Sequence, residues 1–577
     1  MNLKTDYEVG AIPFPEHPCP QRERKNWLNL NGEWDFCKIL ADGQNKDYGK
    51  ILVPFSPETI NSNVAEGFTL LPNETLVYTR VVALEKEQLT GKIKLHFGAV
   101  DSDAKVLING NEVGSHCGGF TPFCFDVSAF LRQGDNVLQV KVRDEATRNG
   151  NVRGKQSDKR GGIWYTPQSG IWQTVWLEFM PSKSIENLRI TPYASQKQVV
   201  ISFDYDGEVE LTVYDDGKEI ITQKAVGQAI LNYEFTLWSP ENPKLYDFII
   251  KSDSGDEIKS YFGVRSYSIV SDENGKKRFG LNGKPYFYNG VLDQGYWSDG
   301  MLTYPSDKAV IDELTMLKEM GFNTVRKHIK LEPMRWYYHC DRLGLAVWQD
   351  FVNGGGEYKF SHVALLPFLG FHHRDDDYKY FARECEQARE QFIASADETV
   401  DALYNVVSLA VWVVFNEGWG QFDSAKVTER LVKKDPTRII DSVSGWHDQG
   451  ANKTTVKSMH TYYTPLKVPK DTRAVVLSEF GGYSMKTSGH VYDENKEFGY
   501  KKFHDKQSLT NAVEKLYLKK LLPLIKKGLS GAIYTQVSDV EEEINGLVTY
   551  DRKVQKIDTA DMRKINDTLK QEWQKIK

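Results

Sequence analysis

The strongest constraint on the fold comes from the second half of the chain, where short apolar runs alternate with helical stretches. Eight such runs follow residue 285: "YFYNGVL", "NTVRKH", "AVWQDF", "VWVVFNE", "RIIDSVS", "SMHTYY", "AVVLSEF" and "GAIYTQ". Apolar runs of this kind are typical of parallel strands buried on both faces, and helices between them provide the crossovers. Stretches such as "DKAVIDELTMLKEMG" and "SLTNAVEKLYLKKLLPLIKKG" have helical periodicity. Eight strand–helix units in about 300 residues predict a (β/α)8 TIM barrel.

The first half of the chain has a different texture. From Trp27 to Pro181, runs such as "KIKLHFGAV" and "NVLQVKVRD" alternate apolar and polar residues between turn residues, which is typical of a β-sandwich. A second all-β stretch, Ser182 to Val270, has the length of an immunoglobulin-like sandwich. We therefore predict a multidomain chain with a β-sandwich over 1–181, an immunoglobulin-like β-sandwich over 182–270 and a carboxyl-terminal barrel over 271–577.

Composition excludes several classes of protein. The net charge is −6 with scattered basic residues, so the basic surface that nucleic-acid binding needs is absent. No run approaches the ~18 apolar residues of a membrane-spanning helix, and "MNLKTDYEVGAIPFPEHPCP" lacks the apolar segment of a secretory signal. Six cysteines without paired spacing predict free thiols. We expect a cytoplasmic protein that binds neither nucleic acid nor membrane.

Polar residues are concentrated where the predicted barrel strands end. In a (β/α)8 barrel the carboxyl ends of the strands form the active-site face, so clustering there predicts a binding or catalytic site. Any single one of these residues could instead lie at the barrel rim to form a hydrogen bond with a loop carbonyl, and that explanation is equally good. Chance is a much poorer explanation for the clustering of the whole set. The set is Asp293, Arg326, His328, Asp350, Asn416, Glu417, His460, Tyr462, Glu479, Gln536 and Asp539.

Two glutamates in this set point to a reaction. Glu417 ends the fourth apolar run in "FNE", and Glu479 ends the seventh in "LSEF". Paired carboxylates across a barrel mouth suit glycoside hydrolysis, where one protonates the leaving oxygen and the other attacks the anomeric carbon. Burial and the second carboxylate would raise the pKa of the acid. The structural alternative is that either glutamate forms a salt bridge with a barrel arginine such as Arg326.

The same residues resemble a known family. "WVVFNEGWG" and "VVLSEFGG" resemble the acid/base and nucleophile motifs of glycoside hydrolase family 2, the family of β-galactosidase, β-glucuronidase and β-mannosidase. "LNLNGEWDF" and "SGIWQTVWLE" resemble its amino-terminal sugar-binding jelly roll, and "YFGVRSYSI" its immunoglobulin-like domain. The resemblance implies that Glu417 is the acid/base and Glu479 the nucleophile, with retained anomeric configuration. It also implies that Asn416 contacts the 2-hydroxyl, Arg326 orients a catalytic carboxylate and Tyr462 bonds the nucleophile.

Departures from the family pattern bear on the substrate. Glucuronidases of the family carry an Asn-x-Lys motif where "EEEINGLVTYDRK" has Glu543, and acidic residues there would repel a uronate. In "RKHIK", His328 lies one place early relative to the family string. A Glu-x-His metal motif is replaced by "FVNGGG", so we expect no metal and no cofactor. Trp164 stands where relatives often offer an aspartate to the sugar, and we expect it at the rim of the site, although a core tryptophan fits the sequence equally well.

These observations together predict a retaining exo-glycosidase that removes a neutral terminal sugar, most simply a β-galactoside. A β-mannoside, an α-L-arabinofuranoside or a β-glucuronide is the alternative within the family. The expected substrate-binding residues are Asn416, Arg326, His328, Asp293, Asp350, His460, Tyr462, Gln536 and Trp164. An alternative of another class is a carbohydrate-binding protein without catalysis, and the resemblance allows a homo-oligomer.

Overall fold

The carboxyl-terminal half forms the barrel that its apolar runs predict. We analysed a computed structural model of the chain, in which residues 3–65, 67–145, 150, 152–449 and 456–576 are described. The eight barrel strands, numbered 1 to 8 in chain order, are Tyr288–Asp293, Thr324–Lys327, Ala346–Asp350, Leu409–Asn416, Ile439–Ser444, Val456–Thr461, Ala474–Gly481 and Leu529–Thr535. They are parallel and hydrogen-bonded in the order 5-4-3-2-1-8-7-6. Strands 5 and 6, the two ends of this order, are linked by a side-chain contact, in which the Ser444 hydroxyl lies 2.9 Å from His460 Nε2, so the barrel is nearly closed.

Helices pack around the strands and carry the crossovers. Their bounds are Asp307–Glu319, Met334–Leu343, Leu366–Phe368, Glu386–Leu403, Ser424–Lys434, Lys506–Lys515, Leu522–Lys527 and Thr559–Gln574, with π-helical turns at Ser361–Leu365 and Leu516–Leu521. The stretch "SLTNAVEKLYLKKLLPLIKKG", expected as one helix, is thus interrupted by a π-helical turn before Pro523. Proline has no backbone N–H to donate, which explains why regular α-helical bonding changes there. Among the described residues, no helix is long and apolar enough to span a membrane.

Two β-sandwiches precede the barrel. The strands of the first are Trp27–Asn29, Gly32–Ile39, Asn45–Val53, Thr75–Leu84, Lys92–Phe97, Val100–Asp101, Asp103–Ile108, Asn111–Cys117, Phe123–Asp126, Gly134–Arg143, Gly170–Ile171 and Val175–Met180. They form antiparallel sheets of four and six strands around a core that includes Trp34, Tyr78 and Phe97, with a two-stranded ribbon beside them. Alternating burial along Gly32–Ile39 matches its alternating sequence, because one face packs on the core and the other meets solvent.

The second sandwich is smaller. A three-stranded sheet of Glu186–Tyr193, Gln198–Asp204 and Gln228–Asn232 packs on a four-stranded sheet of Val209–Asp215, Lys218–Ala225, Tyr246–Ser252 and Glu257–Phe262. A three-stranded sheet of Tyr267–Ser271, Lys277–Leu281 and Lys284–Pro285 then leads into the barrel, and a short pair, Tyr483–Met485 and Lys501–Phe503, follows strand 7. The multidomain fold expected from the sequence, two β-sandwiches and a (β/α)8 barrel, is confirmed.

A buried arginine joins the two sandwiches. Arg24 donates to both carboxylate oxygens of Asp256, at 2.9 and 3.0 Å, and to Glu178 at 3.1 Å. Its third acceptor is the Ile185 carbonyl oxygen, at 2.6 Å. Asp256 belongs to the second sandwich and Glu178 to the first, so one cation balances a buried carboxylate in each. Removing it would leave Asp256 without its cation and Glu178 with the longer contact to His96 Nε2, at 3.4 Å.

We expect Arg24→Met to lower the free energy of unfolding by about 3–5 kcal/mol, because methionine keeps the apolar stem but removes the charge and the hydrogen bonds that the guanidinium donates. The matched control is Lys50→Met in the exposed Lys50–Asp35 pair, whose side chains are 55% and 63% exposed. Exposed pairs contribute about 0–1 kcal/mol. Urea midpoints of the two variants measure the difference, and equal midpoints would contradict the role given to Arg24.

Candidate active site

The barrel brings the two predicted glutamates together at its carboxyl-terminal mouth. Glu417 follows strand 4 and Glu479 lies in strand 7. His460, on strand 6, lies between them, with Nδ1 2.7 Å from Glu417 Oε1 and Nε2 3.5 Å from Glu479 Oε1. One carboxylate oxygen of each glutamate and one ring nitrogen of His460 all lie within 4.8 Å of one another. Two carboxyl groups and an imidazole therefore form one cluster.

The backbone at the end of strand 4 directs Glu417 into this cluster. Glu417 has a φ of 50°, in the left-handed region that residues other than glycine seldom adopt. Its N–H donates to the Ser444 carbonyl of strand 5, at 2.9 Å. Gly418 follows with a φ of 73°, and a Cβ there would lie 2.8 Å from the His447 ring. A strained turn fixed by its neighbours is common at functional sites, and this one leaves the Glu417 side chain 13% exposed at the mouth.

Glu479 is surrounded by hydrogen-bond donors. Arg326 Nη1 lies 3.2 Å from one carboxylate oxygen, and the Tyr462 hydroxyl donates to the other. The Tyr462 ring stacks on Tyr500 at 3.7 Å, which fixes its orientation. Arg326 itself is fully buried and also donates to Asp350 at 2.9 Å. The contacts of Glu479 are thus those of a carboxylate that accepts from an arginine and a phenol.

The environment of Glu417 favours its protonated form. Burial raises the pKa of Glu417 to about 7, against the opposing effects of Lys155 and Arg326, and Glu543 adds to the increase. Near neutral pH this group therefore exists in both protonation states. An acid that also acts as a base needs a pKa close to the working pH.

The His460 tautomer suits a protonated Glu417. Burial lowers the pKa of His460 to about 4, so the ring is neutral at neutral pH. Ser444 donates its hydroxyl to Ser478, at 2.9 Å, and therefore accepts from His460 Nε2–H, also at 2.9 Å. A neutral imidazole has one donor and one acceptor, so Nδ1 carries the lone pair. That lone pair accepts from the carboxylic acid of Glu417.

The other predicted residues divide into two groups. Asn416, His328, Gln536 and Trp164 lie around the same mouth: Asn416 Oδ1 accepts from Arg326 at 2.8 Å, and His328 Nε2 is 3.7 Å from Glu479 Oε1. The Trp164 ring lies 4.9 Å from that of Trp419, which is 6.2 Å from the His328 ring.

Two of the predicted aspartates, Asp350 and Asp293, bind buried cations. Asp350 pairs with Arg326 through both of its oxygens, so it supports the arginine from behind. Asp293 bonds Lys327 at 2.5 Å and the Gly295 N–H at 2.7 Å, and Lys327 also bonds Glu332 at 2.7 Å. Asp293 is thus part of a buried ion cluster and is not brought to the two glutamates.

Sequence reasoning missed a contribution from the first sandwich. Lys155 and Tyr165, both buried, reach the mouth from it. Lys155 donates to the Tyr165 hydroxyl at 3.0 Å and lies 3.7 Å from Glu543 Oε2, to which Tyr165 donates at 2.5 Å. Lys155 stands in "VRGKQSD", where no apolar run or periodicity marks a site. Only the packing of the sandwich on the barrel reveals it.

The cluster of Glu417, His460 and Glu479 is also the one group of its kind, among the described residues, with donor atoms close enough for a metal ion. Charge disfavours a cation there, because Arg326 lies 3.2 Å from Glu479 and its guanidinium would repel the ion. His460 and Glu417 already satisfy each other at 2.7 Å. The residues present fit proton transfer better than metal binding.

A (β/α)8 barrel with two facing glutamates at its mouth is the arrangement that many glycoside hydrolases use. Comparison with protein families gives the particular one. Residues 28–181 match the family 2 glycosyl hydrolase sugar-binding domain, residues 183–265 the central family 2 domain, and residues 273–565 the family 2 TIM-barrel domain. The chain belongs to glycoside hydrolase family 2.

Individual relatives differ in the sugar that their names give. The chain is similar to a β-galactosidase of Thermoanaerobacter pseudethanolicus, at 27% identity over 45% of this chain and 37% of the relative. A putative β-glucuronidase of Formosa agariphila is 28% identical over 48% of this chain and 27% of the relative. The chain thus spans well under two thirds of these relatives. Among solved structures, a β-D-glucuronidase of Dictyoglomus thermophilum has a TM-score of 0.74 at 18% identity, covering 97% of this chain and 99% of that one.

We expect the Glu417 carboxyl to titrate near pH 7, because burial disfavours its charged form. The group is protonated below that pH and ionised above it. Lys155→Met should move the titration to higher pH, since the ammonium group favours the carboxylate. Carbon-13 NMR of glutamate-labelled protein measures the shift, with Glu417→Gln to assign the signal. A midpoint near the ordinary glutamate value of ~4.3 would contradict the effect of burial.

Proposed function

We propose that the chain is a retaining exo-glycosidase in which Glu479 is the nucleophile and Glu417 the acid/base. The observation that carries this proposal is the pair of carboxyl groups, with oxygens within 4.8 Å of each other and unlike surroundings. Retaining enzymes place the two groups about 5–5.5 Å apart, whereas inverting enzymes leave about 6.5–9.5 Å for a water molecule. The short separation supports double displacement.

The surroundings of each group support its proposed step. Glu479, oriented by Arg326 and Tyr462, attacks the anomeric carbon, and the glycosidic bond breaks as Glu417 gives its proton to the leaving oxygen. Glu417 is then ionised and removes a proton from the water that attacks the same carbon, which releases Glu479. His460 Nδ1, 2.7 Å from Glu417, accepts from the protonated acid and so holds it in place before the first step.

The sugar that we propose is neutral, most simply a β-galactose. Support comes from the β-galactosidase of Thermoanaerobacter pseudethanolicus among the relatives and from Glu543 in place of the asparagine of the glucuronidase motif. We also propose a cytoplasmic location, which the six free cysteines support.

A uronide is the second candidate, and Lys155 favours it. This buried cation lies at the mouth within 3.7 Å of Glu543, so it reduces the repulsion that an acidic sugar would meet there. Structural neighbours include a β-galacturonidase of Eisenbergiella tayi bound to galacturonate, with a TM-score of 0.70 at 18% identity over 97% of this chain and 99% of that one. A similarity at 18% identity shows a shared fold, and the sugar specificity is decided by activity assays.

Nitrophenyl glycosides distinguish the two candidates. We expect kcat/KM on the β-galactoside to exceed that on the β-glucuronide at least tenfold. The positive charge of Lys155 is already balanced by Glu543, so it cannot also balance the carboxylate of a uronate. Assays of nitrophenyl galactoside, mannoside, arabinofuranoside and glucuronide under one set of conditions give the ranking. Faster turnover of the glucuronide would contradict the neutral assignment and favour the second candidate.

Single substitutions distinguish the two carboxyl groups. Glu479→Ala should lose about 10⁴-fold or more in kcat on every leaving group, since no glycosyl-enzyme can form, and azide should give an inverted glycosyl azide. Glu417→Ala should still release dinitrophenol, which needs no proton, and azide should then give a product of retained configuration.

Polarimetry or NMR of the products and burst kinetics provide the measurement. Asp350→Asn is a useful comparison, because it perturbs the support of Arg326 without removing either reacting group. Inverted products of natural turnover, or equal losses in both alanine variants on activated and unactivated substrates, would overturn the assignment. If no glycoside were hydrolysed although the protein still bound sugars, the non-catalytic alternative would be favoured.

A further inference from the structure

A row of buried side chains crosses the barrel mouth from His328 to Glu543. His328 Nδ1 lies 2.9 Å from Gln294 Oε1, and Gln294 Nε2 donates to Gln536 Oε1 at 2.6 Å. Gln536 Nε2 donates to Asn545 Oδ1 at 2.8 Å, and Asn545 Nδ2 donates to Glu543 Oε1 at 3.1 Å. All five side chains are at most 3% exposed. We call Gln294, Gln536 and Asn545 the amide row.

The direction of the amide row is fixed at one end. A carboxylate can only accept hydrogen bonds, so Asn545 must turn its amino group toward Glu543. Its oxygen then faces Gln536, which must turn its own amino group toward Asn545. The same requirement passes to Gln294, whose oxygen is left facing His328. A ring nitrogen that faces an oxygen donates to it, so His328 carries a proton on Nδ1.

The other oxygen of Glu543 is occupied by a donor as well. The Tyr165 hydroxyl donates a hydrogen bond to Glu543 Oε2 at 2.5 Å and accepts one from Lys155 Nζ at 3.0 Å. Lys155 also lies 3.7 Å from Glu543. Both oxygens of Glu543 therefore accept hydrogen bonds, one from Tyr165 and one from Asn545, and this fixes the direction of the row.

The opposite nitrogen of His328 then faces the reacting groups with a lone pair. Burial lowers the pKa of His328 well below its usual range, with Lys155, Arg326 and His460 acting in the same direction, and Asn416 opposes them without prevailing. A neutral ring with Nδ1–H has an acceptor at Nε2.

Nε2 of His328 is 3.7 Å from Glu479 Oε1 and 3.6 Å from Asp350 Oδ2. Two carboxylates cannot donate to a lone pair. Within the described residues, His328 Nε2 and the neighbouring Asn416 Nδ2 are both buried and neither makes a hydrogen bond of regular geometry, although the Asn416 side chain is close enough to raise the pKa of His328 through a hydrogen-bond contact. Buried polar atoms are normally paired. A hydroxyl group would satisfy both atoms, since it can donate to Nε2 and accept from the amide.

We propose that Glu543, acting through the amide row, is a positioning residue that holds the His328 proton on Nδ1, so that Nε2 accepts a hydrogen bond from a sugar hydroxyl beside the nucleophile. This inference rests on the proposed function, because the hydroxyl belongs to the sugar that Glu479 attacks. It makes His328 selective: the group bound there must be able to donate. A substituent that only accepts, such as fluorine, meets a lone pair and is rejected.

Nitrogen-15 NMR of histidine-labelled protein tests the tautomer without any substrate. The wild-type His328, assigned with His328→Asn, should show a protonated Nδ1 and an unprotonated Nε2. In Glu543→Gln the end group can both donate and accept, so the row can reverse and a protonated Nε2 should appear. The control is Glu542→Gln, since Glu542 lies next in the chain but faces Arg160 at 3.6 Å and should leave the tautomer unchanged.

Monofluorinated nitrophenyl glycosides test the consequence for recognition. Each hydroxyl of the sugar that the enzyme turns over best is replaced in turn by fluorine, and kcat/KM is compared between wild type and Glu543→Gln. The inductive effect of fluorine on the chemical step is common to both proteins and cancels in the ratio. At one position of the sugar, the penalty for fluorine should be at least tenfold smaller in the variant.

The outcomes separate this inference from the proposed function. If no glycoside is turned over, the proposed function fails while the NMR result still decides the tautomer. A protonated Nε2 in the wild type, or equal fluorine penalties at every position in both proteins, would overturn the role of Glu543. Should Glu543→Gln not fold, Gln294→Met interrupts the row beside His328 and should produce a mixture of the two tautomers. A single Nδ1–H tautomer in that variant would also overturn it.

Discussion

The arrangement of side chains at the barrel mouth depends on one buried cation. Arg326 is fully buried, and the free energy needed to remove a guanidinium from water is large unless opposite charges and acceptors surround it. It is met by Asp350 from strand 3, the Asn416 oxygen from strand 4 and Glu479 from strand 7. Each partner stands at the end of a different strand. The ion therefore fixes the spacing of strand ends on opposite sides of the barrel, and Glu479 takes its position from that spacing.

The surroundings of Glu417, a few ångströms away, differ from those of Glu479. The nearest partner of its carboxyl group is a neutral imidazole rather than a cation, so the protonated form of the group is not disfavoured by that contact. The barrel thus places an arginine on one glutamate and a histidine on the other. Two identical side chains acquire different chemistry because burial and hydrogen-bond partners differ, as occurs in other pairs of catalytic carboxyl groups.

Much of this arrangement could be predicted from the sequence because it follows chain-local patterns. The apolar run before Asn416 marks a buried strand, and the polar residues after it mark the mouth. The partnership of Tyr462 and Glu479 followed from the family resemblance, and the structure contains that hydrogen bond. Asp293 shows the limit of the rule: it also ends a strand, but its nearest partner is Lys327, the neighbour of Arg326. Side-chain direction at a strand end cannot be read from position alone.

The charge balance around the acidic run could not be predicted from the sequence, for another reason. The acidic run Glu541 to Glu543 suggested a negative wall that would repel an anionic sugar. In the fold, Arg160 lies 3.4 Å from Glu541, and Lys155 lies 3.7 Å from Glu543. These cations stand nearly 400 positions earlier in the chain, a separation of 381 residues for the first pair. A count of charges along a segment says little when the compensating charges come from another domain.

The presence of Lys155 and Tyr165 at the mouth has a consequence for how such enzymes diverge. Both belong to the amino-terminal sandwich, which carries neither of the two glutamates. Substitutions in its loops can therefore alter the polarity around the sugar while the barrel, with its demanding arrangement of ions, stays unchanged. The polarity beside the two glutamates is thus set jointly by two domains, and a change there need not involve the barrel that carries them.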